Sequence, residues 1–419
     1  MLTDSLRLVS AVPAGVRGWR HSPWLVVGLL WFVALLNYLD RVMIMTMRES
    51  LRTAMPMTDE EFALLSAVFL WVYGFFSPIM GYLADRFSRT RVIVASMLVW
   101  SVVTWWTGHA RSYNELLLTR ALMGISEACY IPAALALITD YHRGATRSTA
   151  TGIHLSGLNF GAALGCLGGV LAFSHEWSYP FRLFGMIGVA YSLVLILLLR
   201  DPPREAVTSE SKPGVHFLDA IKRLAVNRSF LFLVTIWSLI GFAGWPIHKW
   251  TPTYFQEQFH LRQDIAGVWA TLTFQVGCFF GMFAGGALAD YWSRTRPRAR
   301  LLVPILGLIL AAPALVFVAL SPAFGLVAGG LVLFGFARVF TDANMMPIVC
   351  QLVDGRYRAT AYGVLNAFSC IVGGIAILLG GILRDRGVNV SLVFLISAGG
   401  LVLCALMLTR IRLKSGEPS

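Results

Sequence analysis

Gly81 to Arg91 reads G-Y-L-A-D-R-F-S-R-T-R, and Gly286 to Arg296 reads G-A-L-A-D-Y-W-S-R-T-R, the same loop again after 205 residues. A second echo follows at about the same half-length: Arg147 to Gly152, R-S-T-A-T-G, against Arg358 to Gly363, R-A-T-A-Y-G. Two echoes in the same order point to a duplicated chain. What lies between them is largely apolar. Of 419 residues, 57% are hydrophobic and only 13% are charged, with a mean hydropathy of +0.69. A water-soluble fold of this length needs more charge on its surface than that. Lipid is the alternative solvent, and a span of about 20 apolar residues crosses it.

Apolar runs between charged or Pro/Gly breaks give six spans at about 24–46, 62–83, 91–109, 114–139, 150–173 and 181–200. Six more follow at about 229–250, 265–288, 300–320, 323–348, 358–383 and 390–411. The expected fold is therefore an all-α integral membrane protein with twelve transmembrane helices in two pseudo-symmetric six-helix bundles. The bundles occupy 1–200 and 229–419, joined by the polar linker 201–228. Parallel six-span repeats are one of the transporter plans. The first apolar stretch is about 23 residues long and carries Asp40-Arg41 near its end, so it reads as a retained span and not as a cleaved leader.

The formal charge of +12 is explained by topology. If both termini face one side, 23 of the 34 Lys and Arg fall there, in the tails, the linker and the loops of the two echoes. Eight, Lys249 at the end of the seventh span among them, fall on the other side, and three lie within spans. Basic loops stay cytoplasmic, which places both termini in the cytoplasm of a plasma (inner) membrane and disfavours nucleic acid as a partner. The six cysteines lie in apolar stretches without a C-x-x-C or a Cys/His cluster, giving no sign of a disulfide framework or a metal site.

Ionisable residues at membrane depth are costly and mark pathways or pairs. They are Asp40 and Arg41 in the first span, Arg120 and Glu127 in the fourth, His154 in the fifth, and Arg338 and Asp342 in the tenth. Arg338 and Asp342, at i,i+4, share a helix face and can form a neutral structural pair. The first four groups come from two helices, so they neutralise one another only through contact between those helices. Such a cluster can hold an anion on Arg while a carboxylate takes up a proton. Burial raises a carboxylate's pKa, a neighbouring Arg lowers it, and an anion that engages the Arg removes part of the lowering. Substrate and proton then favour each other's binding, the condition for symport. Asp40 and Glu127 are the candidate proton carriers, and Arg41 and Arg120 the candidate anion partners. His154 can titrate near neutrality, although a lone His in a Gly-rich helix more often packs. Gly157, Gly161, Gly165, Gly168 and Gly169 predict close helix approach in the fifth span. In the repeated loops, Gly81, Asp85, Arg86 and Arg89, and Gly286, Asp290 and Arg294, read as gate elements that hold one arrangement of the halves.

The duplicated loop and the twelve spans resemble the major facilitator superfamily over essentially the whole chain. That resemblance implies two bundles rocking around a midplane cavity. N-Y-L-D-R at Asn37 to Arg41, T-R-A-L-M-G-I-S-E-A at Thr119 to Ala128, W-T-P-T-Y at Trp250 to Tyr254 and T-A-Y-G-V-L-N at Thr360 to Asn366 are similar to the anion:cation symporter branch. It implies that Asp40 and Glu127 titrate, that Arg41 with Tyr38 binds a substrate carboxylate, that Arg120 supports Glu127, and that Tyr254 and Asn366 line the sugar side. Spinster-type lipid transporters show similar D-R and R-x-x-x-G-x-x-E-A patterns, giving the second reading. Gly161-Ala162 stands where drug antiporters carry Gly-Pro.

The expected function is proton-coupled import of a small organic anion, a hexonate or hexuronate, with lipid or lysolipid transport as the alternative. No bound cofactor is needed beyond the proton as coupling ion. The expected partners are the anionic substrate, protons and membrane lipids, with the protein acting as a monomer. A receptor lacks room for a signalling domain, and the spans hold no metal-type His/Glu motif or base-paired Ser or Cys for an enzyme.

Overall fold

A computed structural model describes residues 22–142, 146–202, 217–296, 298–354 and 357–411, with the side chains of 81–86, 147–148 and 358–359 outside the description. Both chain ends, most of the linker, and Gly81, Asp85 and Arg86 of the first repeated loop therefore lie outside the described residues. Twelve helices are long and apolar enough to span a membrane. In the first half these are α1 (Pro23–Thr46), α2 (Asp59–Met80), α3 (Arg89–Thr107), α4 (Tyr113–Tyr141), α5 (Thr149–Ser174) and α6 (Tyr179–Leu198). The second half contributes α7 (Arg228–Phe259), α8 (Gln263–Ser293), α9 (Ala299–Leu320), α10 (Phe324–Leu352), α11 (Thr360–Asp385) and α12 (Val390–Thr409).

The packing repeats between halves. Helix α1 lies on α5, α2 on α4 and α3 on α6, and likewise α7 lies on α11, α8 on α10 and α9 on α12. The halves meet along two related seams, α2 against α11 and α5 against α8. Lipid-facing positions such as Phe75, Leu197, Phe283 and Leu406 are exposed, as expected where the surrounding solvent is apolar. Because hydrocarbon offers helices no hydrophobic drive to associate, the interfaces depend on close fit. A Cβ on Gly161 would stand 2.1 Å from the Leu35 carbonyl oxygen, so this glycine sets the distance between α1 and α5. Gly161→Val is expected to cost about 1–3 kcal/mol through overpacking, read as a lower unfolding temperature in detergent. An unchanged transition would mean that α5 is free to shift away.

Several helices outrun their apolar cores. Helix α7 continues past residue 250 to Phe259 through Pro252 and the polar Gln256-Glu257, and the helix containing α2 starts at Asp59 and runs to Arg86. Hydropathy registers the oily part of a helix, whereas hydrogen bonding carries it on into the polar interface. Two spans are broken internally. Helix α4 loosens at Ala128-Cys129, immediately after Glu127, and α5 at Gly165-Cys166. The second break is plugged from α1: the Thr46 hydroxyl accepts from Gly169 N at 2.9 Å, and its hydrogen is shared between the Met43 carbonyl at 2.8 Å and Gly165 O at 3.2 Å. Within the linker, Phe217–Val226 forms a short amphipathic helix, with Ala220 and Leu224 buried and Leu218 and Val226 exposed.

Candidate functional site

The first-half charges do converge. Arg41, at the end of α1, pairs with Glu127 of α4, its Nη2 donating to Oε2 at 2.7 Å, and both side chains are buried. The Arg41 guanidinium also lies 4.7 Å from the ring centre of Tyr38, 4.9 Å from Phe69 and 4.5 Å from Tyr73. An arginine so enclosed keeps its charge through one carboxylate and three π faces. Asp40, the next residue on α1, points the other way and accepts from the Thr104 hydroxyl of α3 at 3.3 Å. Its Oδ1, the Glu127 Oε1 and both amide atoms of buried Asn37 have no hydrogen-bond partner among the described residues. In a low-dielectric interior such unpartnered acceptors favour proton uptake or a conformational change that satisfies them.

Arg120 does not support Glu127 in the way the resemblance implies. Seven residues put the two on one face, but Glu127 is taken by Arg41, and Arg120 Nη2 instead contacts the Met123 sulfur at 2.7 Å with Phe181 6.0 Å away. Arg120 remains close enough to Asp40 and Glu127 to feel both charges. It is a buried guanidinium with Nε unpartnered among the described residues, available to an incoming anion.

In the second half, Arg338 and Asp342 pair at 3.1 Å on one face of α10, as their i,i+4 spacing predicts. Asp342 lies within electrostatic reach of Tyr38 of α1 and Tyr362 of α11. His248 of α7 stacks edge-on against Phe274 at 4.2 Å, feels the charge of Arg338, and lines a narrow cleft between α1, α7 and α8. Asn366 is partly buried on α11, its amide oxygen 4.0 Å from the Cys370 sulfur.

Tyr254 belongs to the core and not to the cavity. Its hydroxyl donates to the Val318 carbonyl at 2.8 Å, and its ring packs against Phe255, Phe259 and Phe394. His154 is likewise completely buried, with its ring 5.9 Å from that of Tyr130.

Among the described residues, neither repeated loop bridges the halves. Arg89 pairs with Asp140 and donates to the Ala136 carbonyl at 3.0 Å, both on α4 of its own half. Asp290 pairs at 3.1 Å with Arg300 at the start of α9, Gly286 faces open space, and Arg294 is exposed. The halves are instead clasped at the opposite face, which sequence reading missed. Asp59, opening α2, binds Arg48 at 2.6 Å, Arg52 at 3.2 Å and, across the seam, Arg384 of α11 at 3.1 Å. Glu257 of α7 joins Arg384 to Arg48. Asp385 accepts from the backbone N–H groups of Asp59 and Glu60 at 2.9 and 2.8 Å, a helix N-terminus capped by the other half. A Cβ on Gly381 would meet the Asp59 carbonyl at 2.6 Å, so the helices touch backbone to backbone there. These residues read as ordinary loop charges in the sequence; only their partners, some 325 positions away, give them a role.

Lys249 was missed for a related reason. A span ending at 250 leaves it in the interface, but in the longer α7 it is fully buried, its Nζ 3.1 Å from the ring centre of Phe62. Lys249 is thus an interior charge and not part of the loop set.

The likenesses to known proteins agree with this architecture. The chain is 28% identical over 354 residues to protein spinster homolog 1 of Xenopus tropicalis, covering 80% of this chain and 66% of that protein. It is 24% identical over 382 residues to the sphingosine-1-phosphate transporter SPNS2 of the same frog, covering 87% and 74%. The chain spans between about half and two thirds of the length of three Spinster relatives, 52% in the Drosophila melanogaster protein. Among solved structures, a bacterial homolog of the human lysosomal transporter Spinster, inward-facing and unoccupied, superposes with a TM-score of 0.75 at 22% identity, covering 94% of this chain and 96% of that one. These relatives favour the Spinster reading over the anion:cation symporter branch. The profile of the Major Facilitator Superfamily matches residues 30–377, and with twelve candidate spans in two related halves the chain belongs to that superfamily.

Proposed function

We propose that the protein carries an amphiphile with an anionic headgroup, a lysolipid or related lipid phosphate, coupled to protons. The observation that carries this reading is the setting of Arg41: one guanidinium, held by Glu127 and surrounded by Tyr38, Phe69 and Tyr73. A sugar acid presents a hydroxyl on nearly every carbon and needs a matching set of side-chain donors and acceptors. Around Arg41 the wall is aromatic, which suits a single charge attached to an apolar chain. The names of the relatives, Spinster and a sphingosine-1-phosphate transporter, support the same choice.

Coupling follows from competition for Arg41. An anion that binds the guanidinium displaces Glu127, whose carboxylate, left buried without its partner, takes up a proton. Asp40, whose described partner is Thr104 alone, is the second proton site. Cytoplasmic termini, as the distribution of basic residues indicates, would place the clasped face outside the cytoplasm.

In sealed proteoliposomes with an internal pH dye, adding an anionic lysolipid is expected to change internal pH, and Asp40→Asn is expected to abolish the change. A response to hexonates or hexuronates with none to lysolipids would return the protein to the sugar-acid reading. Lysolipid movement without any pH change would remove the proton from the mechanism.

A further inference from the structure

We infer that Lys249 is an anion-binding residue of the conformation in which the clasped face is open, kept out of use behind the clasp while that face is shut. The inference rests on the reading that the cargo is anionic. It begins with an amine that no carboxylate touches: Lys249 is fully buried, and its Nζ has no hydrogen-bond partner among the described residues. What it meets is the face of Phe62. A single π face compensates a buried cation only partly, so the closed state holds this charge at a cost.

Its cover comes from the other half. Phe62 and Asp59 are on α2, whereas Lys249 is on α7. The neighbouring Trp250 ring is 6.4 Å from Phe62, with Arg384 5.5 Å from it on the α11 side. The charged groups within electrostatic reach of Lys249 are Arg48, Asp59 and Arg120. The one carboxylate among them, Asp59, is already bound by three arginines. When α2 parts from α7 and α11, Phe62 leaves Lys249, and the freed ammonium faces the opening from beneath the clasp.

Local backbone chemistry suits such a movement. Pro246 and Pro252 lie inside α7 on either side of Lys249. Each removes an N–H from the helix ladder, leaving the carbonyls of Phe242 and His248 without their i+4 donors. The segment between them can bend as the face opens. Above it, a cavity of about 570 Å³ is lined by Arg48, Arg52, Glu257 and His260. An anion entering there would pass from Arg48 and Arg52 to Lys249 and then to Arg120 and Arg41.

The test uses the scarcity of lysine. The chain has four, and Lys212, Lys222 and Lys414 belong to the linker and tail, so an impermeant amine-acylating reagent applied at the clasped face can reach Lys249 alone. In phosphatidylcholine vesicles, acylation of Lys249, read by peptide mass, is expected to rise about tenfold when the clasp is weakened by Asp59→Asn with Arg384→Ala. A short-chain lysophosphatidic acid is expected to protect it, and a monoacylglycerol is not. Protection by gluconate but not by the lipid would keep Lys249 as an anion site while overturning the lipid cargo. Absence of acylation in the weakened protein, or acylation that neither anion prevents, would overturn the proposal. As a second readout, Lys249→Met is expected to lower anion uptake about tenfold with no loss of unfolding temperature, since an apolar side chain relieves the buried amine, and Lys249→Arg to retain most of the uptake.

Discussion

Arg41→Met is expected to abolish uptake and to destabilise the protein by about 3–5 kcal/mol, the cost of leaving one member of a buried ion pair alone. The remaining Glu127 is fully enclosed, and the other guanidinium in reach of its charge, Arg120, makes no hydrogen bond to it. The cost therefore has no local relief except protonation of Glu127. Two consequences follow that separate this loss from ordinary misfolding. The unfolding temperature of Arg41→Met should recover as the pH is lowered, because protonation neutralises the stranded carboxylate. The double variant Arg41→Met with Glu127→Gln should regain most of the stability, since removing both charges of a buried pair is nearly neutral. It should not regain uptake, which needs the charge itself. A double variant as unstable as the single one would show that Arg41 contributes chiefly by packing against Tyr38, Phe69 and Tyr73.

The second large effect is expected at the clasp. Asp59→Asn removes the carboxylate shared by Arg48, Arg52 and Arg384 and leaves three guanidinium groups facing one another. Hydrogen bonds to charged groups contribute about 1.5–3 kcal/mol each, and the seam loses the one between Asp59 and Arg384. A loss of about 2.7 kcal/mol shifts a two-state equilibrium about 100-fold. Spin labels at Thr53 and Gln258, both exposed on this face and in different halves, should then report a longer distance in most molecules. Because Asp385 still caps α2 at the backbone of Asp59 and Glu60, Asp59→Asn with Asp385→Asn should open the face further. A distance distribution unchanged in both variants would mean that the closely packed glycine seam of α2 and α11, not the ion pairs, holds this face shut.

The two predictions concern different functions of charge. Arg41 and Glu127 lie within one half and bear on what is bound. Asp59, Arg384 and Asp385 lie across the seam and bear on which side is open. An anion that draws Arg41 from Glu127 changes the packing of α1 against α4. Helix α1 also carries Thr46 in the break of α5, a seam helix, and continues into the segment holding Arg48. Site and clasp are thereby connected through one helix.

Composition, apolar runs and the repeated loops determined that this chain is a twelve-span membrane protein with duplicated halves, because span length, the exclusion of charge from lipid and a repeated motif are properties of single segments. The same rule picked out Asp40, Arg41, Arg120, Glu127, Arg338 and Asp342, since charge in a span is conspicuous wherever the helix ends up. Tertiary structure decided the partners. The resemblance paired Arg120 with Glu127, yet Arg41 takes Glu127 because α1 and α4 bring them to 2.7 Å. It placed Tyr254 in the cavity, yet the rotation of α7 turns that hydroxyl to Val318. Lys249, Asp59 and Arg384 stood out as neither pair nor pathway, because hydropathy cannot tell a charge facing water from one covered by the opposite half. Contacts between residues hundreds of positions apart are set by how two bundles meet, and no local pattern in the chain encodes that meeting.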